Sequence, residues 1–308
     1  MKRPKLLALG VLLKMNNKTE KSVFIILGGL LLLSAFSCAV AYDLSRPRFL
    51  EVNFFDVGQG DAVFIQTPKR YQVLIDGGPN SIILEKLAKE MPFWDRTIDL
   101  VILSHPEKDH ISGLLDVLKR YKIGNVLWTG IIRDSSEFKE WQKLLGEEGA
   151  KITIARSGQR IIFPDSDEEQ TKIDIFYPVE SLEGKEMEDS NETSIVGKLF
   201  FGNKSFLFTG DISKPTEKKI LEKEANLRSD VLKIAHHGSK NSSSDAFIKE
   251  VLPETAVIQV GKDNSYGHPS EETLAVLKKY GISILRTDIN KDIKILCDSQ
   301  FLKLDQKM

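Results

Sequence analysis

The pattern of apolar and polar positions changes once along the chain. Residues 23–42 are twenty uncharged positions, VFIILGGLLLLSAFSCAVAY, long enough to cross a bilayer as a helix. Beyond residue 49, short apolar runs alternate with amphipathic stretches. Residues 50–55 alternate as a strand, 62–66 and 71–75 are strand-like, and 81–90 read as a helix with Ser81 as its cap. Strands are predicted at 100–104, 123–128, 151–155 and 172–177, with helices over 109–121 and 135–145. Residues 193–201 and 204–208 form a predicted hairpin about Gly202-Asn203. A helix capped by Ser213 follows to about residue 224, then strands at 230–235, 256–260, 283–286 and 293–296, with helices at 244–251 and 271–280. The polar stretches 165–170 and 180–191 read as exposed loops. This alternation predicts a layered α/β architecture.

Four segments follow: a basic cytoplasmic tail (1–21), a transmembrane anchor (22–42), a linker (43–48) and one globular domain (49–308). Lys2, Arg3, Lys5, Lys14, Lys18 and Lys21 precede the apolar run, which places the N-terminus in the cytoplasm and the remainder outside. A cleaved signal peptide is the rival reading, because Ala39-Val40-Ala41 has the small-x-small form of a cleavage site, and it would make the protein secreted. The apolar run is long for a signal core, which favours a retained anchor. Cys38 as a lipidated residue fits poorly with Phe36 and Ser37 before it.

Charge narrows the partners. The formal net charge is -1, yet the chain after residue 42 holds 37 basic against 43 acidic residues. Binding of nucleic acid by bulk charge calls for a basic domain, so any such contact here is local. The two cysteines, Cys38 and Cys297, lie in different regions and predict neither a disulfide nor a zinc finger.

The candidate chemistry centres on residues 103–110, LSHPEKDH. They fall on a predicted strand-to-helix turn that brings His105, Glu107, Asp109 and His110 together. Imidazole and carboxylate are ligands for zinc, manganese and iron. The chain has five histidines, His105, His110, His236, His237 and His268, and each lies in a loop beside a predicted strand or helix end. Asp56, Asp61, Asp76, Asp109 and Asp211 also stand at strand ends, where ligands gather in α/β sheets. Asp76, ending a strand before a glycine pair, is placed to steer a ligand histidine from behind.

HPEKDH resembles the H-x-H-x-D-H signature of the metallo-β-lactamase-fold hydrolases. Thr209-Gly210-Asp211 resembles their bridging-aspartate motif and His236-His237-Gly238-Ser239 their last histidine motif. The ordered set DVGQGD, IDGG, SHPxxDH, NxTS, TGDI, HHGS, YGHP and RTD is similar to the C-terminal domain of ComEC-type competence proteins, which take up DNA in naturally transformable bacteria. The resemblance covers about residues 49–297. It implies a four-layer αββα sandwich, here preceded by one transmembrane helix, and two divalent ions, zinc or manganese. By the same resemblance His105 and Glu107 would hold the first ion, and Asp109, His110 and His236 the second, with Asp211 bridging. His236 is favoured over His237 because it comes first off the strand.

Two departures stand out. Glu107 occupies the place of the second signature histidine, and no histidine lies between His110 and His236, where Asn191 and Ser194 stand instead. The resemblance implies a metal-dependent phosphodiesterase acting on extracytoplasmic DNA. Asp109 or Asp211 would accept a proton from water, and His268 would bind a phosphate oxygen or protonate the leaving group. Asp56, Asp61, Asn191, Ser194, His237, Ser239 and Tyr266 are expected around the ligands or substrate, and Lys233 and Lys262 are candidate phosphate contacts. Two alternatives remain open: hydrolysis of a small phosphoester, nucleotide or ester, and a degenerate domain that binds metal or a partner without catalysis. With one apolar span against a multi-helix channel, a transport role does not carry over, and a separate channel protein is a possible partner.

Overall fold

Runs of apolar residues closed by glycine, aspartate or proline turns form two sheets. The computed structural model describes residues 17–45, 49–164, 170–223 and 226–305. Backbone contacts separate two units, Met1–Pro47 and Arg48–Met308.

In the second unit, β1 (Leu50–Phe54), β2 (Val63–Gln66), β3 (Gln72–Ile75), β4 (Thr97–Ile102), β5 (Lys122–Trp128) and β6 (Lys151–Ile154) lie in the first sheet. The second sheet holds β7 (Arg160–Phe163), β8 (Thr171–Tyr177), β9 (Val196–Phe201), β10 (Lys204–Phe208), β11 (Val231–Lys233), β12 (Thr255–Ile258) and β13 (Ser283–Arg286). The chain returns to the first sheet with β14 (Ile293–Cys297) and β15 (Leu302–Asp305), giving the order β15-β14-β1-β2-β3-β4-β5-β6. The second sheet runs β13-β12-β11-β10-β9-β8-β7. Strands β3 to β6 are parallel, and so are β10 to β13.

Two-residue periodicity sorts side chains between layers. Val63 and Ile65 of β2, Val73 and Ile75 of β3, and Phe206 and Phe208 of β10 meet between the sheets. Their alternates face outward: Phe64 and Leu74 pack with Leu114 and Trp141, and Leu207 packs with Phe247 and Leu277. Helices α2 (Ile82–Glu90), α3 (Lys108–Leu118) and α4 (Ser136–Glu148) supply the first outer layer. Helices α5 (Lys214–Leu221), α6 (Asp245–Val251) and α7 (Glu271–Lys279) supply the second. The expected αββα sandwich is therefore present. Each fully buried Val, Leu, Ile or Phe contributes about 1.5–3 kcal/mol, so these three clusters hold the layers and leave the strand ends free for polar groups.

Ser135 caps its helix, accepting the Phe138 N–H, whereas the Ser81 and Ser213 side chains make no such bond. The edge strands β7 and β15 carry no element in the sequence reading. Most of the loop read at 165–170 lies outside the described residues, as do 46–48 of the linker and 1–16 of the basic tail. Cys38 and Cys297 are both free thiols.

The transmembrane span expected over 22–42 is not supported. A helix does form over Asn17–Ser45, and Phe24, Leu31 and Phe36 on it are exposed. Among the described residues, however, no helix is long and apolar enough to cross a membrane.

Candidate metal centre

The parallel strands of the two sheets deliver polar residues to one edge of the sandwich, as their C-terminal ends commonly do. His105 follows β4, His110 lies in the first turn of α3, Asp211 follows β10 and His237 follows β11. Glycines allow these elements to close up. A Cβ on Gly113 of α3 would lie 1.9 Å from the Gly77 carbonyl oxygen, and one on Gly60 would lie 2.3 Å from that of Asp109. The glycines of DVGQGD and IDGG thus let backbone press against the metal turn.

The orientation of three imidazoles is fixed from behind. His237 Nδ1 lies 2.8 Å from the Gln259 carbonyl oxygen, which only accepts, so Nδ1 carries the hydrogen. His110 Nδ1 lies 2.9 Å from Asp76 Oδ2. Ser104 donates its hydroxyl to Asp76 Oδ2 at 2.6 Å, which leaves Ser104 Oγ to accept from His105 Nδ1 at 3.0 Å. All three Nε2 atoms are thereby free to meet an ion, the arrangement by which outer hydrogen bonds set a ligand's tautomer. Nε2 of His105 and of His110 are buried without a hydrogen-bond partner.

Distances test whether an ion fits. Donors tetrahedral about zinc at roughly 2.0–2.1 Å lie about 3.3 Å apart. His237 Nε2 is 3.3 Å from Asp109 Oδ2 and 3.4 Å from Asp211 Oδ2, and His110 Nε2 is 3.4 Å from Asp211 Oδ2. His110 Nε2 to Asp109 Oδ1 is wider at 3.9 Å. Each of these four residues offers one ligand atom within 4.8 Å of the others. Two imidazoles and two carboxylates suit zinc and manganese alike, and the residues fit a divalent ion.

Electrostatics give the same answer. Burial disfavours a charged His237, but Asp211 and Asp61 outweigh it and raise its pKa to about 10. His110 is likewise raised, against burial, by Asp211, Asp76 and Asp109. Burial raises the Asp109 and Asp211 pKa values, yet His110 and His237 hold both carboxyls well below the usual range. The metal-free centre thus holds protons where a cation would go. His105, with burial dominant and His110 beside it, is pushed down to about 3 and is neutral.

Asp61, Asp76 and His110 also come within ligand reach of one another, but two of their contacts are already committed. The buried Lys233 ammonium pairs with Asp61, stands 3.5 Å from Asp211 Oδ1 and donates to the Gly210 carbonyl at 3.0 Å. His110 Nδ1 is committed to Asp76. These residues support the centre from behind.

Several expected placements need correction. His236 is not in the ligand set; His237 is. Both follow the strand in left-handed conformation, with φ of 50° and 53°, and the turn carries His237 inward and His236 to the cleft wall. Glu107 is also outside the set; it lines the same cleft, and its Oε1 accepts from Arg133 Nη2 and Ser190 Oγ. Asp56 faces Lys291 at 3.5 Å and lies away from the ligand cluster. Ser239 is buried and does not line the cleft; its Oγ accepts the Asn241 N–H, and its carbonyl accepts from Ser242 and Thr273. Lys233 is buried at 2% exposure and committed to aspartates, and Lys262 is exposed outside the cleft. Asp76 orients His110, Ser194 Oγ accepts the Asp211 N–H at 3.0 Å, and Asn191, Tyr266 and His268 line a cleft of about 240 Å³ with Asp109 and Asp211.

Gln259, Ser190 and Arg133 carry no sequence signal, since each acts through a distant partner. Ser104 had one, as it sits inside the SHP motif.

This fold and donor set are of the metallo-β-lactamase type, and the chain belongs to the metallo-beta-lactamase superfamily, whose family model matches residues 55–262. Its curated relatives include competence-related proteins. It is 32% identical over 302 residues to ComE operon protein 3 of Bacillus subtilis (strain 168), covering 92% of this chain and 37% of that one. It is 29% identical over 246 residues to competence protein ComA of Neisseria gonorrhoeae, covering 78% and 31%. The chain thus spans about a third of the length of these relatives. Among solved structures, the metallo-beta-lactamase fold protein YhfI from Bacillus subtilis aligns with TM-score 0.51 at 15% identity, covering 83% of this chain and 100% of that one, which shows the fold.

Proposed function

We propose that the protein is a metal-dependent phosphodiesterase that cleaves DNA on the outer side of the membrane. The observation that carries this reading is the ligand set itself: His110 and His237 present Nε2, and Asp109 and Asp211 present carboxylate oxygens, at the spacing one divalent ion requires. Competence-protein relatives make DNA the substrate of choice.

A divalent ion bound there supplies Lewis acidity, which acidifies water and stabilises charge on a phosphoryl oxygen. The chain's own groups do the rest. Asp109, whose side chain is 34% exposed, faces the cleft as a carboxylate and accepts a proton from the attacking water. Asp211 is fixed by Ser194 and Lys233 and serves to hold position. His268 lines the cleft and is kept neutral by burial and by the nearby His236, so it contacts a phosphate oxygen by hydrogen bonding. The implied second ion would rely on His105 Nε2, with Glu107 held beside it through Oε1 by Arg133 and Ser190.

Placement outside the cytoplasm belongs to the same proposal.

The test uses the full chain, stripped with chelator and reloaded with manganese or zinc. Linear duplex and single-stranded DNA are followed on a gel beside an Asp109→Ala/His110→Ala double variant. Metal-dependent cleavage absent from the variant is expected. Stoichiometric metal without cleavage would redirect the search to small phosphoesters, and absence of both would leave a degenerate binding domain.

A further inference from the structure

Four rings stand in a row from the metal centre to solvent. His237 is followed by His236 at 6.2 Å between centroids, His268 at a further 5.8 Å and Tyr266 at a further 5.9 Å. The first two pairs meet edge-on, at 78° and 74°, whereas His268 and Tyr266 are stacked at 20°. Tyr266 is 70% exposed, so the row ends in an open aromatic face.

That face is braced. Asn264 Oδ1 accepts the N–H of Tyr266 at 3.2 Å and of His268 at 3.0 Å, while Asn264 Nδ2 donates to the carbonyls of Gly261 and His268 at 3.1 and 2.7 Å. The Gly261 N–H in turn donates to Gln59 at 3.1 Å across the cleft. An exposed ring on a loop tied at both sides is positioned before any ligand arrives, which reduces the ordering cost of binding. Its sequence neighbours Asp263, Asn264 and Ser265 are polar, which suits a hydrated strand and not a lipid surface.

We propose that Tyr266, backed by His268, is a stacking platform for one unpaired nucleobase next to the phosphate at the metal centre, so that single-stranded nucleic acid or a frayed strand end is the substrate class. This rests on the phosphodiesterase reading above. Every base has a π-face, and stacking on an aromatic side chain needs no sequence. Within a duplex both faces are covered by neighbouring bases, so only an unpaired or terminal base reaches the ring. The cleft, at about 240 Å³, accommodates a phosphate and its immediate neighbours.

The experiment is equilibrium binding by the full chain with metal removed, so that nothing is cleaved. The probes are a fluorescent oligothymidylate, an abasic strand of the same length and the corresponding duplex. Wild type is expected to bind the thymidylate about tenfold more tightly than the abasic strand or the duplex. Tyr266→Ala is expected to erase that preference and Tyr266→Phe to keep it. Equal binding of the probes by wild type, no measurable binding of the thymidylate, or a preference that survives Tyr266→Ala would overturn the platform. Cleavage of the abasic strand by metal-loaded wild type separates the two readings. It persists if only the platform is wrong and is absent if the phosphodiesterase reading fails.

Discussion

The two halves of the expected dinuclear site have met different fates. In the half built from Asp109, His110, Asp211 and His237, carboxylates face imidazole nitrogens at 3.3–3.9 Å, and a backbone carbonyl or carboxylate holds each ring from behind. In the half built from His105 and Glu107, the imidazole is in place but the carboxylate is bonded to Arg133 and Ser190. Both halves draw on the same eight-residue stretch, 103–110, and the first adds Asp211 and His237 from the second sheet. What separates them is whether surrounding elements leave the ligand free: Asp76 and Gln259 complete the first half, and Arg133 neutralises the second.

The largest expected effect comes from destroying the complete half. Asp109→Ala/His110→Ala should abolish stoichiometric metal binding, read by elemental analysis of the purified protein, and lower any cleavage by roughly 10³-fold or more, since these residues act as a unit. Splitting the histidine pair sharpens the assignment next. His237→Ala should weaken metal binding by more than about 100-fold and His236→Ala by less than about threefold; the reverse order would restore His236 as ligand. Asp76→Asn keeps the shape but removes the charge behind His110. Metal affinity should fall by about 10–100-fold, measured by competition with a chelating dye.

Acidity gives a smaller, graded test. His237 has its pKa raised to about 10 in the metal-free fold, against about 6.5 in an unfolded chain. The contribution of its charged form to stability is complete below pH 6.5 and disappears as pH rises through 10. The metal-free protein should therefore unfold at lower denaturant at pH 9 than at pH 6.5. Metal affinity should move the opposite way, rising with pH as the competing proton leaves. The smallest effect is expected from Glu107→Gln, which should change affinity at the complete half by less than about threefold. A loss comparable to Asp76→Asn would bring Glu107 back among the ligands.

The spacing of apolar residues determined the strands and helices of the layers, since inward and outward faces follow directly from a period of two or 3.6. Residue type and motif order placed His105, Asp109, His110 and Asp211 at one strand-end site, and Asp76 behind it. Tertiary structure alone decided between His236 and His237, because adjacent residues differ only in where a left-handed turn points them. It alone removed Glu107 from the ligand set, because Arg133 and Ser190 approach it across 26 and 83 residues of sequence. It also placed Lys233 against Asp61 and Asp211, turning a sequence candidate for phosphate contact into a buried counter-charge. Local sequence carries local conformation, whereas which charges meet depends on chain segments whose approach no local pattern encodes.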